Sequence, residues 1–132
     1  MKVFVDTNIF LDLILKRENF KEALLIFNSI EKKISRAVVL DITILNIDYI
    51  AKKQVKDIRD FLKLVNQHFL VTGATNSMIQ SAIEIENKDL EDNLQYLSAK
   101  KQNCDLIITN DKGFASHEMQ RMTSIEFVDT YL

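Results

Sequence analysis

The apolar positions of the chain fall into short runs and helical stripes that alternate from end to end. Lys2-Val3-Phe4-Val5, closed by Asp6, is too short an apolar run for a helix and reads as a buried strand over residues 2–6. Asn8 to Lys16 is apolar on several sides, which predicts a buried helix. Phe20, Ala23, Leu24, Phe27 and Ile30 then recur at helical spacing, between a polar start at Glu18-Asn19 and a charged end at Glu31-Lys32-Lys33. Arg36 to Leu40 carries the β-branched pair Val38-Val39 and predicts a second strand, after which Asp41 is expected to cap a helix running to about Lys53. Ile58, Phe61, Leu62 and Val65 form the stripe of an amphipathic helix. His68 to Thr72 reads as a third strand closed by Gly73. A helix over 76–86 is expected to pack through Met78, Ile79, Ala82 and Ile83. Asp89 should cap another that runs to about Lys101 with Leu90, Leu94 and Leu97 inward. Asp105 to Thr109 is a strand built on Leu106-Ile107-Ile108, and Asn110-Asp111-Lys112-Gly113 is a turn. Thr123 followed by Glu126 is a capping-box pattern, opening a terminal helix with Phe127 and Tyr131 inward.

Short apolar strands separated by helices require a sheet covered on both faces. The expected fold is therefore a three-layer α/β/α domain around a central parallel sheet of four or five strands. At 132 residues with no proline and only Gly73 and Gly113, the chain offers no linker and is read as one domain over 1–132. Two glycines also leave no Walker A loop and no dinucleotide fingerprint. The single cysteine, Cys104, excludes an intrachain disulfide, and no zinc-site spacing of Cys and His occurs. The chain starts directly in a strand, without the features of a signal peptide, and no apolar stretch reaches membrane-spanning length. A cytoplasmic protein with no membrane association is expected. A net charge of −2 argues against holding nucleic acid by bulk charge, although a local basic face remains open.

In a parallel α/β sheet the ligand site lies beyond the carboxyl ends of the strands, and acids stand there. Asp6 follows the first strand, where it either caps the next helix or serves a site. Asp111 follows the strand of Leu106-Ile107-Ile108, and turn chemistry explains it equally well. Asp89-Leu90-Glu91-Asp92 opens a helix, where acids meet the helix dipole favourably. Asp89 has the cap position, and Asp92, one turn in, can project toward the strand ends. Each acid has a bland explanation by itself. Together, converging carboxylates form a donor set for a hard cation such as Mg²⁺ or Mn²⁺, which activates water and clamps phosphoryl oxygens.

Four blocks in order carry a resemblance over almost the whole chain. They are Phe4-Val5-Asp6-Thr7-Asn8-Ile9-Phe10-Leu11-Asp12, Asp89-Leu90-Glu91-Asp92-Asn93-Leu94-Gln95-Tyr96-Leu97, Asp105 through Phe114, and Thr123-Ser124-Ile125-Glu126-Phe127. The sequence resembles PIN-domain proteins, the ribonuclease fold of VapC-type toxins. The resemblance implies a Mg²⁺- or Mn²⁺-dependent endoribonuclease with Asp6, Asp92 and Asp111 as catalytic metal ligands. It implies that Thr7, Asn8 and Thr109 support those carboxylates by hydrogen bonds, with Glu91 as a neighbouring acid. Asn110 stands beside Asp111, and which of the two faces the metal stays open. Many members carry glutamate on the helix after the second strand. The nearest match here is Asn46, a neutral fourth metal group that should weaken affinity; Asp48, two positions on, lies on a different helix face. RNA is the implied substrate, an antitoxin the implied partner, and pairing of two copies is common in the family.

The remaining polar residues add little. Lys112, next to Asp111, is the best candidate for a substrate phosphate contact. Lys52, Lys53, Lys56, Arg59 and Lys63, and separately Lys32, Lys33 and Arg36, read as solvated helix faces. His68 reads as structural, His117 as exposed, and Asp12 as solvated or hydrogen-bonded and outside the site. Tyr49 and Tyr96 fit packing as well as base stacking. Two rivals remain. One is a PIN-like binding module without activity, motivated by Asn46 and the acidic pI. The other is a receiver-like phosphotransfer domain, for which Asp6 lacks the adjacent acid.

Overall fold

Five short strands lie side by side, all parallel, in the order β3-β2-β1-β4-β5 in a computed structural model that describes residues 1–132. They are β1 (Lys2–Val5), β2 (Arg36–Leu40), β3 (Leu70–Thr72), β4 (Leu106–Ile108) and β5 (Arg121–Met122). Strand β1 is central. Val3 stands opposite Ala37 on one side and Leu106 on the other, and Phe4 opposite Val38 and Ile107. The two-residue period of a strand splits these side chains between two cores. Val3, Val5, Val39, Leu106 and Ile108 join the larger core, while Phe4, Val38, Leu40 and Ile107 join the smaller one. Such strands are buried on both faces, which is why they read as continuous apolar runs.

Helices α1 (Thr7–Ile14), α2 (Phe20–Glu31), α3 (Asp41–Ala51), α4 (Ile58–His68) and α7 (Ser124–Tyr131) supply the larger core. Phe10 meets Phe27 edge-to-face at 5.3 Å and Phe69 at 5.2 Å. On the other face α6 (Leu90–Lys101) lays Tyr96 and Ala99 on the sheet, and α5 (Asn76–Glu84) packs outside it. The expected α/β/α sandwich with a parallel sheet is thus observed, with five strands. Connections run from β1 toward β2 on one side and return to β4 on the other, so strand order reverses between β1 and β4. That reversal opens a crevice at the carboxyl ends of the two strands.

Several expectations are corrected. Asp41 does not cap α3: it is the first helical residue, Leu40 holds the cap position, and no side-chain cap bond forms. The chain turns straight from β2 into the helix, so Asp41 can act only through the dipole. Helix α1 ends at Ile14, because Lys16 turns left-handed at φ 51°. His68 belongs to α4, not to a strand. Leu24, Ile79, Ile83, Leu90 and Tyr131 are exposed. In α6 the leucine stripe flanks the helix, and the face against the sheet is Asp92, Gln95, Tyr96 and Ala99. Strand β5 was not foreseen, since two residues carry no readable alternation. The capping box at Thr123 and Glu126 and the Asp89 cap form as expected. No helix is long and apolar enough to cross a membrane.

Candidate metal centre

Asp6 sits where β1 passes into α1, at the helix cap position, with extended backbone (φ −69°, ψ 149°). Its carboxylate makes no cap bond. Instead Gln95 Nε2 donates to Oδ1 at 3.1 Å and Thr109 Oγ1 donates to Oδ2 at 2.8 Å. The side chain is only 3% exposed. Burial raises its pKa above the usual carboxylate value; the two hydrogen bonds oppose that shift, and the charge of Asp111 adds to it. Thr109 follows β4 and serves two acids, because its hydroxyl also accepts from the Asp111 backbone N–H at 3.1 Å. Asp111 Oδ1 accepts from the Gly113 N–H at 2.9 Å, so the turn role read from the sequence is present in this residue.

Helix α6 delivers the second group of acids. Asp89 Oδ1 accepts the Asp92 N–H at 3.0 Å, which fixes the first turn. Asp92 is then buried against the sheet, and its pKa is pushed up to about 7, first by burial and then by the charges of Asp89, Asp6, Asp111 and Glu91. Glu91 is raised as well, by burial and by Asp6 and Asp89, while Asn46 opposes the shift. Asn46 Nδ2 on α3 donates to Glu91 Oε1 at 2.5 Å, joining the helix after β2 to the acidic turn of α6.

Every side-chain hydrogen bond to Asp6, Glu91 and Asp111 comes from an amide, a hydroxyl or a backbone N–H, never from a lysine, arginine or histidine. Hard oxygen donors that are desolvated, mutually repelling and matched by no cation are the donor chemistry that suits a hard divalent ion. As the side chains stand, no three acidic, histidine or cysteine groups converge closely enough to hold one ion.

The other residues expected here divide in two. Thr109 bonds Asp6 as anticipated. The Thr7 hydroxyl does not bond a carboxylate; it pairs with Thr43 Oγ1 at 2.9 Å, because the first residue of α1 faces α3. Asn8 is exposed and its side chain makes no hydrogen bond, since helical rotation turns it away from Asp6. Asn110 bridges elsewhere: its Nδ2 donates to Asp12 Oδ2 at 3.1 Å and its Oδ1 accepts from the Ser124 N–H at 2.9 Å. Asn110 is thus engaged by Asp12 and Ser124, while the charge of Asp111 is felt by both Asp6 and Asp92. Asp12 is buried and hydrogen-bonded by Asn110, the second of the two states expected for it. Lys112 is exposed on a polar groove of about 280 Å³ that also includes Asp111 and Arg121.

Two residues at this end of the sheet escaped the sequence reading. Gln95 is fully buried beside Asp6, three positions after Asp92, and i,i+3 spacing on a helix already puts the two on one face. Arg121 donates from Nη1 to the carbonyls of Lys112 and Phe114, at 3.0 and 2.6 Å, and so holds the turn after β4. Nothing local in the sequence signals that reach.

The profile of the PIN domain matches residues 2–113. Ribonuclease VapC1 of Aquifex aeolicus (strain VF5) is 30% identical, over 98% of this chain and 95% of its own length. Among solved structures, a toxin-antitoxin complex from Klebsiella pneumoniae aligns with TM-score 0.69 at 21% identity, over 92% of this chain and 97% of the other. VapBC2 from Rickettsia felis, bound to a DNA fragment of its promoter, aligns with TM-score 0.63 at 16% identity, over 93% and 98%.

Proposed function

Because this chain belongs to the PIN-domain family, VapC type, we propose that it is a Mg²⁺- or Mn²⁺-dependent endoribonuclease and the toxin of a toxin-antitoxin pair. The observation that carries the reading is the set of buried Asp6 and Asp92 with half-buried Asp111 at the β1/β4 crevice, acids whose hydrogen bonds include none from a cation. Those three carboxylates would hold the ion, with Asn46 close by on α3. When bound, such an ion supplies Lewis acidity toward a phosphodiester and lowers the pKa of water.

The chain's own residues prepare that chemistry. Gln95 and Thr109 each donate to one oxygen of Asp6, so neutral donors hold this buried carboxylate at the crevice. Asp89 holds the turn from which Asp92 projects. Burial and the neighbouring acids push the Asp92 pKa up to about 7 in the absence of an ion, so its carboxylate is the one whose charge a bound cation would relieve most. Lys112 and Arg121 flank Asp111 on the groove and offer cations to RNA phosphates along an otherwise acidic mouth. The large apolar side chains Leu45 and Tyr49 on α3 and Ile83 on α5 are exposed, surface that an antitoxin or a second copy would cover.

The test is RNA cleavage by the purified chain with Mn²⁺, with chelator, and with Mn²⁺ restored in excess. We expect cleavage to vanish in chelator and return with the ion. Undiminished cleavage in chelator contradicts the proposal. No cleavage under any condition, together with RNA binding, favours the inactive binding module.

A further inference from the structure

The largest hollow in the molecule, of about 480 Å³, lies away from the acidic crevice, where β1, β2 and β3 begin. Lys2 at its edge and Asp6 stand at opposite ends of β1, four residues or about 13 Å apart at the rise of a strand. The volume is within the range of small-molecule clefts. The floor is apolar: Ile30 and Ala37 come from the larger core, and Leu70 opens β3 half exposed. The rim is cationic. Lys2, Lys33 and Arg36 line it together with His68, and no aspartate or glutamate does. Asp105, on the β4 side of β1, accepts the Lys2 backbone N–H at 2.8 Å and stays outside the hollow. Lys33 and Arg36 are not on a helix face, as their spacing suggested, but beyond the end of α2 and at the start of β2. Lys2 and Arg36 are register partners on neighbouring strands, like charges side by side, which is unfavourable until an anion joins them.

Backbone bonds fix the turn that presents these residues. Lys33 adopts a left-handed φ of 61°, its N–H bonds the Ile30 carbonyl at 3.0 Å, and the Arg36 N–H bonds the Met1 carbonyl at 3.0 Å. Between them Ser35 is only 6% exposed and lines the hollow, and its hydroxyl has no hydrogen-bond partner within the chain. A buried hydroxyl left without a partner needs an explanation, and a ligand in the hollow supplies one. Cations beside the C-terminal ends of α2 and α4 also suit the helix dipoles, but dipoles account neither for the apolar floor nor for this hydroxyl.

We propose that this hollow is a second binding site, for a phosphate monoester carried on an apolar body, namely a nucleotide phosphate. Lys2, Lys33 and Arg36 together match a phosphate monoester, which carries about −1.5 to −2 charges near neutral pH, better than they match a single carboxylate. The Arg36 guanidinium can meet two phosphate oxygens at once, Lys2 and Lys33 supply point charges, and the Ser35 hydroxyl donates to the remaining oxygen. The base then lies on Ile30, Ala37 and Leu70. The phosphate belongs either to a free mononucleotide or to the end of an RNA strand. The site is separate from the metal centre and does not depend on it.

Titration of the full chain with adenosine monophosphate in chelator, followed by amide NMR shifts and calorimetry, tests this. The amides from Lys33 to Ala37 and that of Leu70 should shift. In the double variant Lys33→Ala with Arg36→Ala, both exposed side chains, affinity should fall by about tenfold or more, the scale of one lost charge-assisted hydrogen bond. Lys112→Ala, at the crevice, should leave it unchanged. Adenosine, which lacks the phosphate, and inorganic phosphate, which lacks the apolar body, should each bind about tenfold or more weakly. A short RNA strand with a terminal phosphate identifies the source: binding at the same amides more tightly than the mononucleotide assigns the site to RNA ends, and weaker binding assigns it to free nucleotides. No shift at these amides, wild-type affinity in the folded double variant, or loss in Lys112→Ala alone overturns the proposal. So does inorganic phosphate that binds as tightly as the mononucleotide, or a polyglutamate peptide that binds the hollow more tightly.

Discussion

At the scale of single residues, Thr109 decides how the crevice is held. Its hydroxyl donates to Asp6 and accepts from the Asp111 backbone, so one oxygen spaces two acids that repel. Thr109→Val keeps the shape and deletes both bonds. The expected cost is about 1–3 kcal/mol in urea unfolding, the penalty for leaving buried polar groups unpaired, together with slower RNA cleavage. Unchanged stability contradicts that role. Gln95 is the matching donor on the other oxygen of Asp6. Its own Oε1 is buried without a partner, a cost the fold retains while orienting an acid. Asp6 shows where residue-level reading stops: a cap and a ligand look alike in sequence. The difference lies in Gln95 and Thr109, 89 and 103 positions away.

At the scale of elements, the caps of α6 and α7 were legible, the start of α3 was not, and helix faces were read only in part. Thr75, Asp89 and Thr123 cap α5, α6 and α7 with side-chain oxygens, because a cap depends on the three or four residues beside it. Helix α6 followed its apolar stripe only in part: Leu94 and Leu97 pack on the smaller core, while Leu90 is half exposed and Asp92 and Gln95 are buried on a polar face. Polar residues buried on the inward face of a helix depart from the usual pattern, and such departures are where a functional site is expected. Helix α7 is tied back by Asn110, which bonds both Asp12 on α1 and Ser124 on α7. In Asn110→Ala we predict faster amide hydrogen exchange confined to α7 and the end of α1, with about 1–3 kcal/mol lost overall. Exchange unchanged in α7 contradicts the anchoring role.

At the scale of the whole molecule, parallel strands as short apolar runs made the fold class readable, and the observed sandwich follows from them. The crevice was readable as a consequence, because topology alone puts Asp6 and Asp111 at the carboxyl ends of neighbouring strands. What stayed hidden were the long-range side-chain partners, Asn46 with Glu91 above all. The acids also make stability depend on pH. Asp6, Asp12, Glu91 and Asp92 all have raised pKa values, Asp92 reaching about 7 from 3.8. The folded state therefore binds more protons than the unfolded chain through this interval. Stability of the metal-free protein falls as pH rises from about 4 to about 7 and levels off above it. Melting in chelator should occur at a higher temperature at pH 5 than at pH 7.5. Mn²⁺ should raise the melting temperature at pH 7.5 by binding the folded state alone. A melting temperature that climbs with pH in chelator contradicts this electrostatic account.

The central claim is that Asp6 and Asp92 form one metal-dependent nuclease centre at the β1/β4 crevice. Its most direct test is the rate of RNA cleavage with Mn²⁺ by wild type, Asp6→Asn and Asp92→Asn, each shown to be folded. Each substitution should slow cleavage by about a hundredfold or more, the order lost when a group stabilising developing charge is removed. Equal cleavage by all three proteins would contradict the account.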